Sequence, residues 1–261
     1  MEIKILEATG DDQVVADAAR VSYDGKGRKS TDDQLIRYLM RHHHMTPFEM
    51  INVRVYVEAP IFVFRQWHRH RTFSYNEMSG RYTKFEDEFY RPIGWRKQDG
   101  KQTSHDELYD IPKADDLMNE AYRTSYICYQ ELLQLGIAKE QARIVLPVGM
   151  MSKMYASGNL RNWLGFLKLR LDKHAQWEIR ECAKMIHDEL EKKYPIIMEA
   201  WHEYHFESVT LTLAAQCEIR GDEWVGSSGE KAEVAATLAE LGLDRILEIN
   251  KAAEEGLEHP S

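Results

Sequence analysis

The sequence predicts a mixed α/β protein of the α+β class. Two stretches, MEIKILEA at the start and NVRVYVE at 52–58, alternate apolar and polar residues, which is typical of strands. Most of the remaining chain, above all 113–136 and 159–194, has the residue pattern of helices. With 261 residues, 43% of them hydrophobic, the chain can bury the core of one large domain, or of one domain with an appendage.

The first part of the chain is predicted to alternate between strands and short helices. Thr31 opens a capping-box pattern ahead of an apolar run, and Pro60 suits the first turn of a helix. The predicted elements are, in order, a strand at 1–8, a helix at 11–23, a loop at 25–30, a helix at 35–43, a strand at 52–58 and a helix at 60–71.

The middle of the chain is predicted to be mostly helical. Residues 86–112 are rich in charge, glycine and proline and are predicted to be irregular. The predicted helices are 113–136 ending near Gly136, 138–146 ending at Pro147, 159–194 with a break near Asp172, and 195–206 opening at Pro195.

Residues 1–208 are predicted to form the core domain, and 209–261 a C-terminal appendage of unknown role. The stretch VTLTLAAQCEIRG at 209–221 predicts a strand. Ser227 and Glu230 form a second capping box ahead of an amphipathic helix. We expect this appendage to be structural rather than catalytic.

Composition limits the classes of function. The formal net charge of −9 opposes binding to nucleic acid, except through a local basic patch. Cys128, Cys182 and Cys217 form no CxxC pair, which fits a reducing cytoplasm. The N-terminal stretch lacks the apolar segment of a signal peptide, and no apolar run approaches the roughly 20 residues of a membrane span. We therefore expect a cytoplasmic protein with no membrane partner.

The segment WHRHRTFSYNEMSGRY at 67–82 combines cations, aromatic rings and hydroxyl groups. In a helix from Pro60, Gln66 and Arg69 share a face. If 77–81 is extended, Glu77, Ser79 and Arg81 lie on one side of the chain, and Gly80 lets a ligand approach the backbone.

Four interpretations of this segment are open from its residues: a solvated loop, a nucleic-acid groove, a metal site, or a pocket for small phosphorylated molecules. The apolar flanks PIFVF and FSY argue against the solvated loop, because they favour burial. No metal is expected, because His42–His44 are consecutive and His68 and His70 are two apart, and no HExxH pattern is present. His44, just before TPFE, is the best placed of the three consecutive histidines to line a pocket.

A second candidate cluster lies at 158–178. Its leucines at helical spacing predict a core stripe. Arg170 shares another stripe with Trp163, Phe166 and Trp177. Two roles for Arg170 are open: an ion pair with Asp172 or Glu178, or a charge aimed into a site where it polarises a bound ring. Arg143, before Pro147, is a further candidate contact for an anion.

A series of spaced motifs resembles the flavin-dependent thymidylate synthase family over about residues 12–206. The central motif is RHR at 69–71, followed at a fixed interval by Ser79 and Arg81. The others are, in family order, RVSY at 20–23, HMTPFE at 44–49, APIFVFRQWHRHR at 59–71, ARIVLP at 142–147, NLR at 159–161 and FLKLRLDKHAQWEI at 166–179.

The resemblance implies reductive methylation of dUMP to dTMP, with 5,10-methylenetetrahydrofolate as the one-carbon donor. FAD, reduced by NADPH, would supply the reducing equivalents. The resemblance also implies a mostly antiparallel central sheet flanked by helices, and a homotetramer whose active sites are shared between subunits. In such an enzyme the cofactor carries the redox chemistry, while the protein supplies position and charge.

The resemblance also implies the roles of individual residues. It gives Arg170 the catalytic role of stabilising the ionised uracil ring, and it places His44 beside the flavin, where folate or NADPH enters. The implied FAD contacts are Thr46, Arg69, His70, Arg71, Glu77, Asn159, Leu160, Arg161 and Gly165. The implied dUMP contacts are Gln66, Trp67, His68, Arg69, Glu77, Met78, Ser79, Gly80, Arg81, Arg143 and Arg170.

Some features separate this chain from other enzyme classes. No cysteine lies in a recognised motif, no His–Asp arrangement activates Ser79, and no GxGxxG is present. Gly165 stands where many family members have Asn or His as an FAD contact. Two rival interpretations are a nucleic-acid-binding protein that uses residues 65–71, and a flavoprotein that has lost methyl transfer.

Overall fold

The computed structural model describes residues 1–23, 30–99, 103–104 and 107–243 of the chain. The chain divides into two units, Met1–Glu207 and Ser208–Ser261. The loop predicted at 25–30 lies outside the described residues, apart from Ser30.

The first unit contains a four-stranded antiparallel sheet, which confirms the predicted antiparallel pairing and the α+β class. Its strand order is β1-β2-β6-β3, and Gln98–Asp99 pairs with Thr103–Ser104 as a separate ribbon. The strands are β1 (Glu2–Ala8), β2 (Asn52–Pro60), β3 (Ser74–Glu77), β4 (Gln98–Asp99), β5 (Thr103–Ser104) and β6 (Met151–Asn159).

The strands predicted at 1–8 and 52–58 are confirmed, and another long strand was missed. In β2, Val53, Val55 and Val57 are fully buried, as their alternation predicted. The unpredicted strand is β6, which pairs with both β2 and β3. Its buried face carries Ser152 and the small Ala156, so the sequence of this central strand has only a weak hydrophobic alternation.

Helices complete both units, and their ends agree best with prediction where caps mark them. The box of Thr31 and Gln34 opens α2 with both of its hydrogen bonds. The helices are α1 (Asp12–Arg20), α2 (Asp32–Arg41), α3 (Ile61–Trp67), α4 (Pro112–Gln134), α5 (Lys139–Ala142), α6 (Leu160–Arg170), α7 (Trp177–Lys193), α8 (Pro195–Trp201), α9 (Leu213–Arg220) and α10 (Ser228–Glu240).

Two predicted boundaries near the site are wrong. Helix α3 ends at Trp67 and His68 is its C-cap, so Arg69–Arg71 lie beyond the helix. Strand β3 ends at Glu77, and the chain then turns because Tyr82 N–H and Thr83 N–H both donate to the carbonyl of Ser79. Residues 77–81 are therefore not extended.

The main core lies in the first unit and is rich in aromatic side chains. Trp67, Trp163 and Phe166 are fully buried and pack against one another, with ring centroids 4.8–6.4 Å apart. This cluster joins α3 to α6 and thereby sets where the last turn of α6 lies.

The second unit corrects one prediction. Residues 213–220, predicted within a strand, form helix α9, because Thr212 caps its N-terminus and Gly221 ends it with φ 75°. The predicted capping box of Ser227 and Glu230 is confirmed at the start of α10. In the part of the chain that the structure describes, no helix combines the length and the hydropathy needed to cross a membrane.

Candidate active site

Arg170 ends helix α6 and is the cation most tightly held beside the aromatic core. Its Nε donates to Nε2 of His70 at 2.9 Å, and its Nη2 donates to the carbonyl of Gln66 at 3.2 Å. Neither acid predicted as a partner pairs with it: Asp172 accepts from His174, and Glu178 from Tyr90. Burial, and next the charge of Arg69, lower the pKa of Arg170 from its usual value.

The setting of Arg170 therefore suits an anionic ligand. Both hydrogen bonds of this half-buried guanidinium go to neutral groups, the His70 ring and the Gln66 carbonyl. Within the described residues no carboxylate neutralises its charge. A cation in such a place interacts strongly with negative charge that is brought to it, because the aromatic surroundings have a low dielectric constant.

His70 accepts the hydrogen bond from Nε of Arg170 and is itself held in place. The hydroxyl of Tyr75 donates to the carbonyls of His70 and Trp67, and the His70 ring lies 4.8 Å from the ring of Phe166. Burial, and then the nearby charge of Arg170, lower the pKa of His70 from 6.5 to about 4. His70 is therefore neutral near neutral pH, with Nε2 free to accept from Arg170.

This pKa shift predicts a pH dependence of stability. Between pH 6.5 and about 4, His70 binds a proton in the unfolded chain but not in the folded one, so the free energy of unfolding falls as the pH falls through this window. We expect His70→Gln to flatten that fall in urea unfolding measured at a series of pH values. Parallel curves for the wild type and the variant would contradict the shift.

A groove lies between α3, the end of β3 and Arg143. Its cavity of about 460 Å³ is lined by Ile61, Phe64, Arg65, His68, Glu77, Met78, Ser79, Phe85, Arg143 and Leu146. The backbone of Met78 is fixed by a hydrogen bond to Lys153 O, and Glu77 accepts from Ser152 at 3.2 Å. The structure thus brings five of the predicted dUMP contacts into one groove: His68, Glu77, Met78, Ser79 and Arg143.

Gly80 allows the close packing beside this groove. A Cβ at Gly80 would lie 2.5 Å from Phe85 Cε2 and 2.9 Å from Arg143 Cδ. Any larger residue would therefore displace Arg143, which makes the need for glycine here steric. The hydroxyl of Ser79 accepts from Arg81 N–H at 3.3 Å, and among the described residues no histidine contacts it.

Arg81 is engaged elsewhere, because its Nε pairs with Glu140 at 2.8 Å on the surface. Such an exposed pair stabilises a protein by only about 0–1 kcal/mol. If Arg81 binds dUMP as predicted, Glu140→Gln should lower the KM for dUMP by up to about fivefold and barely change stability. Steady-state kinetics would test this, with Glu131→Gln on α4 as the charge-matched control. A raised KM in Glu140→Gln would contradict a role for Arg81 in binding.

A second cavity, of about 680 Å³, is lined in part by other residues that were predicted to bind a ligand. Its lining includes the exposed His44, Thr46 and Arg161, together with His43 and Tyr38. Arg161 pairs with Glu49 at 2.5 Å, and Asn159 uses its side-chain oxygen to cap α6. These residues are therefore positioned mainly by the short helix Thr46–Met50 and by the start of α6.

Several predicted residues lie apart from these two cavities. The side chains of Trp67 and Leu160 are fully buried in the core, so only their backbone can meet a ligand. Arg69, Arg71 and Gly165 are exposed, and a Cβ at Gly165 would meet nothing within 4 Å. Trp177 lies on α7, where Arg96 covers its ring at 4.3 Å, and so not on the helix of Arg170.

A polar chain that was not predicted from the sequence lies behind Gln66. The Gln66 side chain donates to Gln176, which donates to the buried Glu178 at 2.8 Å, and Glu178 also accepts from Tyr90 at 3.0 Å. Gln176 and Glu178 stand within the motif HAQWEI, but Gln176 was given no role, and Glu178 was weighed only as an ion-pair partner of Arg170. This chain orients the Gln66 side chain.

The residues present fit a flavin dinucleotide. The exposed Arg69 and Arg71 suit a pyrophosphate, because an arginine fork matches phosphate oxygens. The clearance beside Gly165 leaves room next to the exposed face of α6.

Comparison with known proteins identifies the family of the chain. A family model described as thymidylate synthase complementing protein matches residues 4–196. A flavin-dependent thymidylate synthase from Thermus thermophilus is 43% identical over 223 residues, covering 84% of this chain and 82% of that protein. The corresponding protein of Thermosipho africanus is 44% identical, covering 80% of this chain and 94% of its own.

A solved structure shares the fold. A UMP/dUMP methylase, PolB from Streptomyces cacaoi bound with 5-Br dUMP, is 34% identical with a TM-score of 0.70, and the match covers 78% of this chain and 95% of that one. The similarity to these relatives and the shared fold place the protein in the class of nucleotide methyltransferases, and the arginine site suits that class. Within that class, the chain belongs to the flavin-dependent thymidylate synthase family.

Proposed function

We propose that this enzyme methylates dUMP to dTMP in the cytoplasm, with 5,10-methylenetetrahydrofolate as the one-carbon donor and NADPH as the reductant of bound FAD. The observation that carries the proposal is Arg170, a half-buried guanidinium with no carboxylate partner among the described residues. The cytoplasmic location is supported by the three free cysteines.

Arg170 acts on the uracil ring. As the ring becomes nucleophilic, negative charge builds on it, and a guanidinium already fixed in place stabilises that charge without reorganising. His70, neutral because of its lowered pKa, holds Nε of Arg170 without neutralising the charge.

The groove beside Arg143 receives the nucleotide. Arg143 supplies a cationic contact for the phosphate and Ser79 a hydroxyl group, both from the lining of the groove. Arg81 would add a second cation on release from Glu140. Gly80 permits the close approach. The side chain of Gln66 is oriented by Gln176 and Glu178, and the carbonyl of the same residue holds Arg170.

FAD, when bound, supplies the reducing equivalents. We assign the binding of FAD to Arg69, His70, Arg71, Glu77, Thr46, Asn159, Leu160, Arg161 and Gly165. Leu160 contributes its backbone. His44, exposed at the second cavity, lies where folate or NADPH would enter.

A homotetramer with shared sites is part of the proposal. Several large apolar side chains are highly exposed in the first unit, among them Val21, Ile93 and Ile144 at 77–80%. Such side chains are suited to subunit contacts. Light scattering on the eluting protein would measure the mass, and a monomer would contradict this part.

The experiment that tests the function has two stages. First, the purified protein should show flavin absorption, and a protein that stays colourless with added FAD would contradict the proposal. Second, tritium should be released from C5-labelled dUMP only when folate donor and NADPH are both present. Flavin binding without tritium release would instead support a flavoprotein that has lost methyl transfer.

UMP is the matched control substrate, because the PolB methylase is named for both nucleotides. The proposal names dUMP because the thymidylate synthase relatives are closer, at 43–44% identity against 34% for PolB. Faster turnover of UMP would reverse this assignment.

A salt-sensitive shift of random DNA at low protein concentration would favour the nucleic-acid alternative.

A further inference from the structure

Two histidines far apart in the sequence meet at the end of α7. His187 lies on α7, and His202 begins the π-helical turn His202–Phe206 that follows α8. Their Nε2 atoms are 2.7 Å apart. The prediction that no metal binds was based on neighbouring histidines only, and this pair is 15 positions apart.

A third donor stands beside this pair. Glu191 follows His187 by four residues and so lies on the same face of α7. One ligand atom from each of His187, Glu191 and His202 lies within 4.8 Å of the others. Turns of the π-helical kind are frequent at functional sites.

The outer nitrogens of both rings face carboxylates. Nδ1 of His187 is 3.3 Å from Asp188, and Nδ1 of His202 is 3.5 Å from Glu207. A carboxylate at one ring nitrogen fixes the hydrogen there, so the other nitrogen presents its lone pair. This arrangement is the usual outer shell of histidines that bind metals.

Two lone pairs that face each other across 2.7 Å repel, and a cation between them removes the repulsion. A proton on one ring would satisfy the two nitrogens, but it would not use the carboxylate of Glu191. A metal ion uses all three donors. Two nitrogens bound tetrahedrally to Zn²⁺ at about 2.0–2.1 Å are separated by about 3.3 Å, so the rings need to part by only about 0.6 Å.

The surroundings hold the rings while leaving a way in. Trp201 is buried, stacks on Phe206 at 4.9 Å and touches the His202 ring at 5.2 Å. The side chains of His187 and His202 remain 14% and 26% exposed, and Glu191 is exposed. An ion can therefore reach the site without unfolding α7.

We propose that His187, Glu191 and His202 bind one Zn²⁺ ion per chain, with water at the fourth position. Two imidazoles and one carboxylate form a donor set that suits this ion. The ion links the end of α7 to the turn after α8.

The test measures Zn²⁺ affinity of the full-length protein after dialysis against EDTA, by competition with a chromophoric chelator. We expect one site per chain. Glu191→Gln and His202→Gln should each weaken binding by more than about tenfold, and Asp188→Asn by about tenfold, because outer-shell partners contribute that much. The midpoint of thermal unfolding should rise with Zn²⁺ in the wild type and less in Glu191→Gln.

Glu189→Gln is the matched control, because Glu189 lies on the same helix and pairs with Lys192 instead. It should bind Zn²⁺ like the wild type. Absence of a site in the wild type, or equal affinity of Glu191→Gln and Glu189→Gln, would overturn the proposal. No readout depends on dUMP turnover, so the result is independent of the proposed function.

Discussion

Alanine in place of Arg170 is expected to lower the turnover of dUMP by about 100- to 1,000-fold, while the protein keeps its flavin. Removing one preorganised group that stabilises developing charge has an effect of this size in other enzymes, about 2.7–4 kcal/mol. Arg170 is such a group, because His70 and the carbonyl of Gln66 fix it before substrate arrives. Tritium release and flavin absorbance, measured on one preparation, would check both parts.

Two further variants make this result specific. Lys168→Ala removes an exposed cation from the same last turn of α6 and should leave turnover close to that of the wild type. Arg170→Lys keeps the charge but loses the planar fork, so only partial activity is expected. Near-normal turnover of Arg170→Ala, with folding verified by urea unfolding, would remove Arg170 from the chemistry.

The sequence predicted those elements whose signal is local. The alternation of β2 and the capping boxes at Thr31 and Ser227 each depend on a few neighbouring residues, and all three predictions are confirmed. Strand β6 was missed because its burial comes from pairing with β2 and β3, and its buried face mixes Met154 with the polar Ser152 and the small Ala156. Helix α9 was predicted as a strand because its capping by Thr212 was overlooked.

The residues of the site were likewise predicted only where their signal is local in the sequence. Arg170 was a candidate from its aromatic stripe and received its role from the resemblance. Its partner was not predicted, because His70 reaches it only after α3 ends at Trp67. The hydrogen bond from Gln66 to Gln176 joins residues 110 positions apart, and spacing alone does not reveal such a contact. The pair of His187 and His202 was missed for the same reason.

Substitution of Trp67 is expected to have the second large effect, and this effect is on the stability of the fold rather than on dUMP binding. The resemblance placed Trp67 among the dUMP contacts, but its side chain is fully buried between Trp163 and Phe166. We expect Trp67→Ala to reduce the free energy of unfolding by about 3–5 kcal/mol, because it leaves a large cavity in the core. Urea unfolding at constant pH would measure the change.

Phenylalanine at the same position separates packing from binding. Among the described residues, Nε1 of Trp67 has no hydrogen-bond partner, whereas Nε1 of Trp163 donates to Val53 O at 3.1 Å. Leaving a buried donor unpaired costs about 1–3 kcal/mol, so Trp67→Phe removes that cost, while Trp163→Phe loses a hydrogen bond. Trp67→Phe should therefore destabilise the protein less than Trp163→Phe and leave the KM for dUMP unchanged. A tenfold rise in that KM at unchanged stability would return Trp67 to the binding site.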